Sequence, residues 1–397
     1  MRVPVPRVAP PPPVPVSPVV RDDVPLAAID ATAWNAITGG HPFLAHGFLA
    51  ALHDSGCASP RTGWTPRYLT AWSRGALVGA LPLYAKAHSW GEYVFDWGWA
   101  DAYRRHGRRY YPKLVVAVPF TPVTGPRVLG PDEATRRALL DAALARVADG
   151  THSSLHVLFA PTPAARELES AGWIMRRGVQ FHWSHAGWRD FDDFLSALSH
   201  DKRKKIRQDR RKLAAQGVAF DRKPGSALSA TDWAFFYRCY EATYRAHQST
   251  PYLTPEAFER IGAALGDRIV MVIGTRGGAP LCAALDVTDG TTLWGRYWGA
   301  VDYVPGLHFE ACYYQAIEHC LAHGIARFEG GAQGSHKLAR GLDPATTHSA
   351  HAIGDRGFAA AIAEFCARER AEVAESVDEL MEARPFRKGE AAIGDGR

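Results

Sequence analysis

Residues 294–340 read WGRYWGAVDYVPGLHFEACYYQAIEHCLAHGIARFEGGAQGSHKLAR. Residues 292–299 are rich in β-formers and predict a strand, and 325–329 predict a second, short strand running into Gly330 and Gly331. Between them Phe309, Cys312, Tyr313, Ala316, Ile317, Cys320 and Leu321 fall at helical spacing, which predicts a helix over 309–321 with one buried stripe. A strand, a crossover helix and a strand imply a parallel pair, whose functional edge would carry Arg296, Glu329, Gln333, His336, Lys337 and Arg340. On the helix, Glu310, Tyr314 and Glu318 recur every fourth residue along a line that packing is not expected to need. The helix begins after Pro305-Gly306, and its first free N–H groups would favour an anion or a developing negative charge.

An acid, an amide, an imidazole, an ammonium and a guanidinium crowd into residues 329–340 among glycines, the composition of a functional loop at a strand end. Plain structural explanations exist beside this one. Arg296 and Glu329 could form a cross-strand ion pair, and His308, His319 and His336 could be capping or surface histidines. Taken functionally, Glu329 or Glu310 is the candidate base and His336 a secondary acid or base. Arg296, Tyr297, His308, Tyr314, Gln333, Lys337 and Arg340 are candidates for holding donor or substrate. Main-chain N–H groups around residues 330–334 would face a developing oxyanion.

The rest of the chain sets the bounds. Its 397 residues predict two domains, and 47% hydrophobic with 22% charged residues describe an ordinary globular composition. Nine prolines between Pro4 and Pro25 break any signal-peptide pattern, so residues 1–30 and 385–397 are expected to be disordered tails. No apolar run reaches membrane-spanning length, and a cytoplasmic location is expected. Six cysteines without a CxxC pair and seventeen histidines without HExxH predict reduced thiols and no metal. The net charge of +5 is concentrated in KRKKIRQDRRK at 202–212, eight cations against one acid. It predicts a basic helix over 200–213, from which Lys202, Arg203, Arg207 and Arg210 would meet phosphate or an RNA backbone. Nine aromatic residues between Trp90 and Phe120 alternate with charges, and Tyr93, Asp96, Trp97, Asp101 and Lys113 are candidate pocket residues there. The order helix, antiparallel strands, strand, helix, strand occurs twice. The boundary is placed near 187–192, giving domains over 31–189 and 190–384, the second ending in a helix over 358–383.

At HPFLAHGFLAAL (41–52), GEYVFDWGWADAY (91–103), YYPKLVVAVPFTPVTGPRVL (110–129), KRKKIRQDRRK (202–212), WGRYWG (294–299), HFEACYYQAIE (308–318) and FEGGAQGSHKLARG (328–341) the chain resembles the Fem-like branch of the GNAT acyltransferases, the proteins of peptidoglycan biosynthesis or recognition. The resemblance spans about residues 40–383. It implies an α/β (α+β) fold of two tandem GNAT-like domains, each a mixed, mostly antiparallel sheet flanked by helices. It also implies transfer of an acyl group to a small-molecule amine by direct attack. The pyrophosphate loop R/Q-x-x-G-x-G/A of ordinary acetyltransferases does not follow Trp298 or Thr124. Two donors therefore stay open, acyl-CoA and aminoacyl-tRNA, the latter with the basic helix as a tRNA contact. A binding protein without activity, recognising a cell-wall precursor or RNA, is the alternative.

Overall fold

The computed structural model describes residues 18–332 and 334–387, so the expected role of Gln333 lies outside the described residues. The first half contains β1 (Val19–Arg21), α1 (Ala31–Ile37), α2 (His46–Asp54), β2 (Trp64–Pro66), β3 (Leu69–Ser73), β4 (Ala76–Leu81), β5 (Leu83–Lys86), α3 (Trp97–Arg105), β6 (Lys113–Val116), α4 (Glu133–Ala148), β7 (Ser154–Ala160), α5 (Thr162–Ser170) and β8 (Ile174–Ser184). The second half contains α6 (Phe191–Ala197), α7 (His200–Ala215), β9 (Val218–Pro224), α8 (Ala230–Ala246), α9 (Pro255–Leu265), β10 (Ile269–Arg276), β11 (Ala279–Thr288) and β12 (Thr292–Ala300). It ends with α10 (Leu307–Phe309), α11 (Gln315–His323), β13 (Arg327–Glu329), β14 (Asp343–Ile353) and α12 (Arg356–Glu382).

Local chemistry starts the helices where the sequence changes character. Asp132 accepts from the N–H of Thr135 to open α4, whose Leu139, Ala143 and Val147 are buried at helical spacing. Ser229 and Asp232 form a reciprocal capping box at the start of α8. Eleven strands then make one sheet in the order β2-β5-β6-β7-β14-β8-β13-β12-β11-β10-β9. Among the described strands only β6 with β7 and β12 with β13 run parallel, each pair spanned by a crossover helix. Each half of the molecule thus repeats one arrangement, a parallel strand pair spanned by a crossover helix within an otherwise antiparallel sheet. At the centre the halves exchange strands: β8 pairs with β13 and β14, while β14 pairs with β8 and β7. One apolar cluster lies beneath α4, another around α11, and a third fills the space between the halves among α2, α8 and α9.

The proline-rich segment gains structure before residue 30. Val19–Arg21 pairs with β3, and Asp22 meets Arg146 at 2.6 Å. Near the other end Ser199 donates to the Pro385 carbonyl at 2.7 Å, and Phe386 bridges to Leu198. No described helix is long and apolar enough to cross a membrane.

Candidate active site

β13 acts as a wedge. Its three residues pair parallel with Thr292, Leu293 and Trp294 of β12 and antiparallel with Ser184, Trp183 and His182 of β8. One further exchange follows, in which Gly330 N–H donates to Phe181 O at 2.8 Å and Phe181 N–H donates to Gly331 O at 3.1 Å. Beyond it β8 and β12 diverge around a cleft of about 880 Å³. Residues 176–180 of β8 and 295–298 of β12 line its two sides, and Gly330, Gly331 and Ala332 lie at its apex. Tyr93, Val94 and Phe95 form one wall, Tyr240, Thr243 and Tyr244 of α8 another, with Tyr252 between them and Glu369 and Val373 of α12 at the rim.

Glu329 sits where the strands part. It is 6% exposed, its Oε2 has no hydrogen-bond partner, His182 Nε2 lies 3.9 Å away and Arg327 Nη1 4.0 Å away. Burial pushes its carboxyl up to about 7, against the pull of Arg327 and Arg296. Burial drives His182 the other way, to about 3, so this imidazole is neutral and hydrogen-bonds Gln180 Oε1 at 3.3 Å. Arg296 occupies a β-bulge: β11 pairs Leu285 with Tyr297 and Asp286 with Gly295, leaving Arg296 as the extra residue. The guanidinium rests over the rings of Tyr297 (5.1 Å) and Phe43 (5.7 Å) and donates to Phe120 O at 3.0 Å. The alternative of an ion pair between Arg296 and Glu329 is not what forms; Arg296 reaches the cleft. Gly330 N–H is occupied by Phe181, which leaves Gly331 N–H without an acceptor among the described residues.

The rest of the expected cluster is dispersed. Residues 310–314 form a π turn inserted between α10 and α11, and the extra residue rotates the line of Glu310 and Tyr314 into the core. Glu310 is 3% exposed and gripped by Arg210 at 2.9 and 3.0 Å, with Gln315 Nε2 at 2.8 Å. Glu318 meets Arg210 at 2.7 Å and Arg222 at 3.0 Å. Glu310 and Tyr314 are therefore packing and bracing groups, away from the cleft. His336 contacts the Tyr313 hydroxyl at 3.2 Å and lies 6.0 Å, ring to ring, from His308, which stacks near Trp298. Burial lowers His308 to about 4. Arg340 stacks on Phe309 at 3.3 Å and donates to His336 O. Lys337 is not an anion holder here: its ammonium donates to the carbonyls of Gly330 (2.7 Å), Gly331 (3.1 Å) and Ala332 (2.6 Å) and so ties the apex loop. Burial lowers it to about 8.

In the first half, Tyr93 reaches the cleft in a left-handed conformation (φ 60°). Asp96 and Lys113 lie beneath that wall as a buried pair joined by Glu92, Ser89 and the Tyr110 hydroxyl. They hold residues 89–97 in place and do not line the cleft. Trp97 packs on Trp90 at the surface, centroids 4.8 Å apart, and Asp101 pairs with Arg104 and Arg105 there. The basic helix forms over His200–Ala215; Lys202 is exposed, whereas Arg203 donates to Ser196 O, Arg207 pairs with Asp192 and Arg210 is committed to the acids of the crossover. Sequence reasoning missed His182, Gln180 and Arg176, which alternate along β8, and the tyrosines of α8. The period-two spacing of Arg176, Gln180 and His182 was the available signal.

Among solved structures, a conserved protein of unknown function from Bacteroides thetaiotaomicron shares 10% identity over 84% of this chain and 98% of its own, with a TM-score of 0.51. L-PGS from Bacillus licheniformis matches at 10% identity over 78% and 91%, TM-score 0.49. FemX matches at 12% over 73% and 89%, TM-score 0.47. No curated protein sequence matches the chain. The family model for FemAB-like proteins, described as peptidoglycan biosynthesis/recognition, matches residues 25–388, nearly the whole chain, and with that match the chain belongs to the FemAB-like family.

Proposed function

We propose that this protein moves an acyl or aminoacyl group from an activated donor, acyl-CoA or aminoacyl-tRNA, onto an amine bound in the cleft, by direct attack. The observation that carries the reading is Glu329: a buried carboxyl brought to about 7, at the fork of two strands and beside the cleft's glycine apex. Near neutral pH such a group can take a proton from an attacking amine, directly or through a water, and release it again. Neutral His182 packs beside it and adds no positive charge that would hold the carboxylate permanently ionised. Gly331 N–H is oriented by the Phe181 exchange at the same apex and is the candidate donor to the oxyanion of the tetrahedral intermediate. Tyr93, Tyr240 and Tyr244 would enclose the acceptor and keep water from the acyl carbonyl.

The test offers the purified protein acetyl-CoA, or tRNA charged with radiolabelled amino acids, with the small amines of a cell extract. Label appearing in an amide product, and lost with Glu329→Gln, supports transfer and names the donor. No labelled product from either donor sinks the reading and favours a binding protein.

A further inference from the structure

We propose that Arg296 makes the cleft a receptor for an oxyanion, a carboxylate or phosphate group on the bound molecule. The bulge is the first observation. It gives β12 one extra residue, so that Arg296 and Tyr297 turn to the same side of the sheet in place of opposite sides. The second is the state of the guanidinium. One of its nitrogens, Nη2, donates to Phe120 O, while Nε is buried without an acceptor and Nη1 meets none among the described residues. Its other neighbours are the faces of Phe43 and Tyr297. Rings and one carbonyl compensate a cation only partly, and the remaining N–H groups suit the paired oxygens of a carboxylate or phosphate.

The third observation is charge. Among the described residues Glu369 is the one acid lining the cleft, and Arg176 holds both its oxygens at 2.6 and 2.7 Å. Glu329 is not among the residues that line the cleft and forms its ion contacts with His182 and Arg327, so Arg296 faces the cavity without a paired carboxylate among the described residues. Tyr93, Tyr244, Tyr252 and Tyr297 line the same cavity, and a phenol hydroxyl can donate to an oxygen that the arginine leaves free. Of the three cations expected to hold an anion, Lys337 is spent on carbonyls and Arg340 on Phe309, which leaves this one.

The inference deepens the acyl-transfer reading by naming a feature of its substrate, and binding tests it without turnover. Calorimetric titrations with inorganic phosphate and with glutarate, at fixed ionic strength, compare the wild-type protein, Arg296→Met, Arg296→Lys and, as a control outside the cleft, Arg109→Met. The expected result is saturable binding of at least one anion, weakened tenfold or more by Arg296→Met, intermediate in Arg296→Lys and unchanged in Arg109→Met. Tighter phosphate binding assigns a phosphate, tighter glutarate binding a carboxylate. If Arg296→Met does not fold, the drop in Arg296→Lys decides. Equal binding by the wild type and the folded Arg296 variants, or no binding of either anion, overturns the proposal. Glu329→Gln should bind the anion as well as the wild type or better, having lost a nearby negative charge, so a failure of catalysis and a failure of anion recognition are told apart.

Discussion

The two parallel strand pairs make the most instructive comparison in this molecule. In the first half β6 and β7 pair over three residues and would part as β12 and β13 do. Residues 118–127 fill that space: Gly125 N–H bonds Phe159 O, and the Arg127 guanidinium, 2% exposed, donates to the carbonyls of Leu158, Gly125, Pro126 and Val123. Burial pulls Arg127 down to about 9. In the second half the corresponding gap is left to solvent and becomes the cleft, with Lys337 gathering the apex carbonyls from one side. The same divergence of strands is closed by an arginine in one unit and kept as a site in the other. Where a fold repeats, the useful question is which copy's opening its own chain has filled.

The comparison breaks first at Glu329. Glu329→Gln should lower turnover about a thousandfold, about 4 kcal/mol of barrier, with the fold intact by circular dichroism. Because the base must be ionised, wild-type turnover should fall about tenfold per pH unit below about 7 and level off above it. A flat profile between pH 5.5 and 8.5 would remove Glu329 from the reaction. Next comes the plugged half. Arg127→Ala leaves several buried carbonyls unsatisfied and should cost about 3 kcal/mol or more in urea unfolding, with turnover per folded molecule preserved. Turnover lost in proportion beyond unfolding would mean that the first opening also takes part.

A smaller effect is expected at the brace of the second crossover. Glu310→Gln should cost about 1–3 kcal/mol by weakening the buried Arg210 contact, again without changing the pH profile of turnover. A shifted profile would return Glu310 to the role of base. The smallest effect belongs to the surface of α7. Arg207→Glu loses an exposed pair with Asp192 and should change stability by less than about 1 kcal/mol. If tRNA is the donor, the same change should flatten the salt dependence of tRNA binding; an unaltered slope would free this helix of RNA contact.

Much of this architecture could be read in the chain beforehand, and the failures have physical causes. The β12, crossover, β13 unit was legible because strand and helix periods differ sharply across 292–329, and the basic helix because eight cations over 202–212 leave only a narrow apolar edge. Local periodicity says nothing about which distant strand completes a sheet, so the exchange of β8 and β14 was invisible. The π turn at 310–314 shifts the helical phase by one residue, which is why Glu310 looked solvent-facing and proved buried. Arg127 was overlooked because a lone arginine in a proline-rich stretch gives no sign that carbonyls will surround it. At the site, Glu329, Arg296 and Tyr93 were legible, whereas His182 and the α8 tyrosines converge only through the tertiary fold.

The strand exchange sets a timetable for synthesis. β7 receives its neighbour β14 from residues 343–353, almost two hundred residues later in the chain. A nascent chain emerging from the ribosome therefore holds β7 with one sheet edge exposed until residues 343–353 have been made. Translation speed after β8, and any chaperone that covers that edge in the interval, should govern the yield of this protein more than the final stability of either unit.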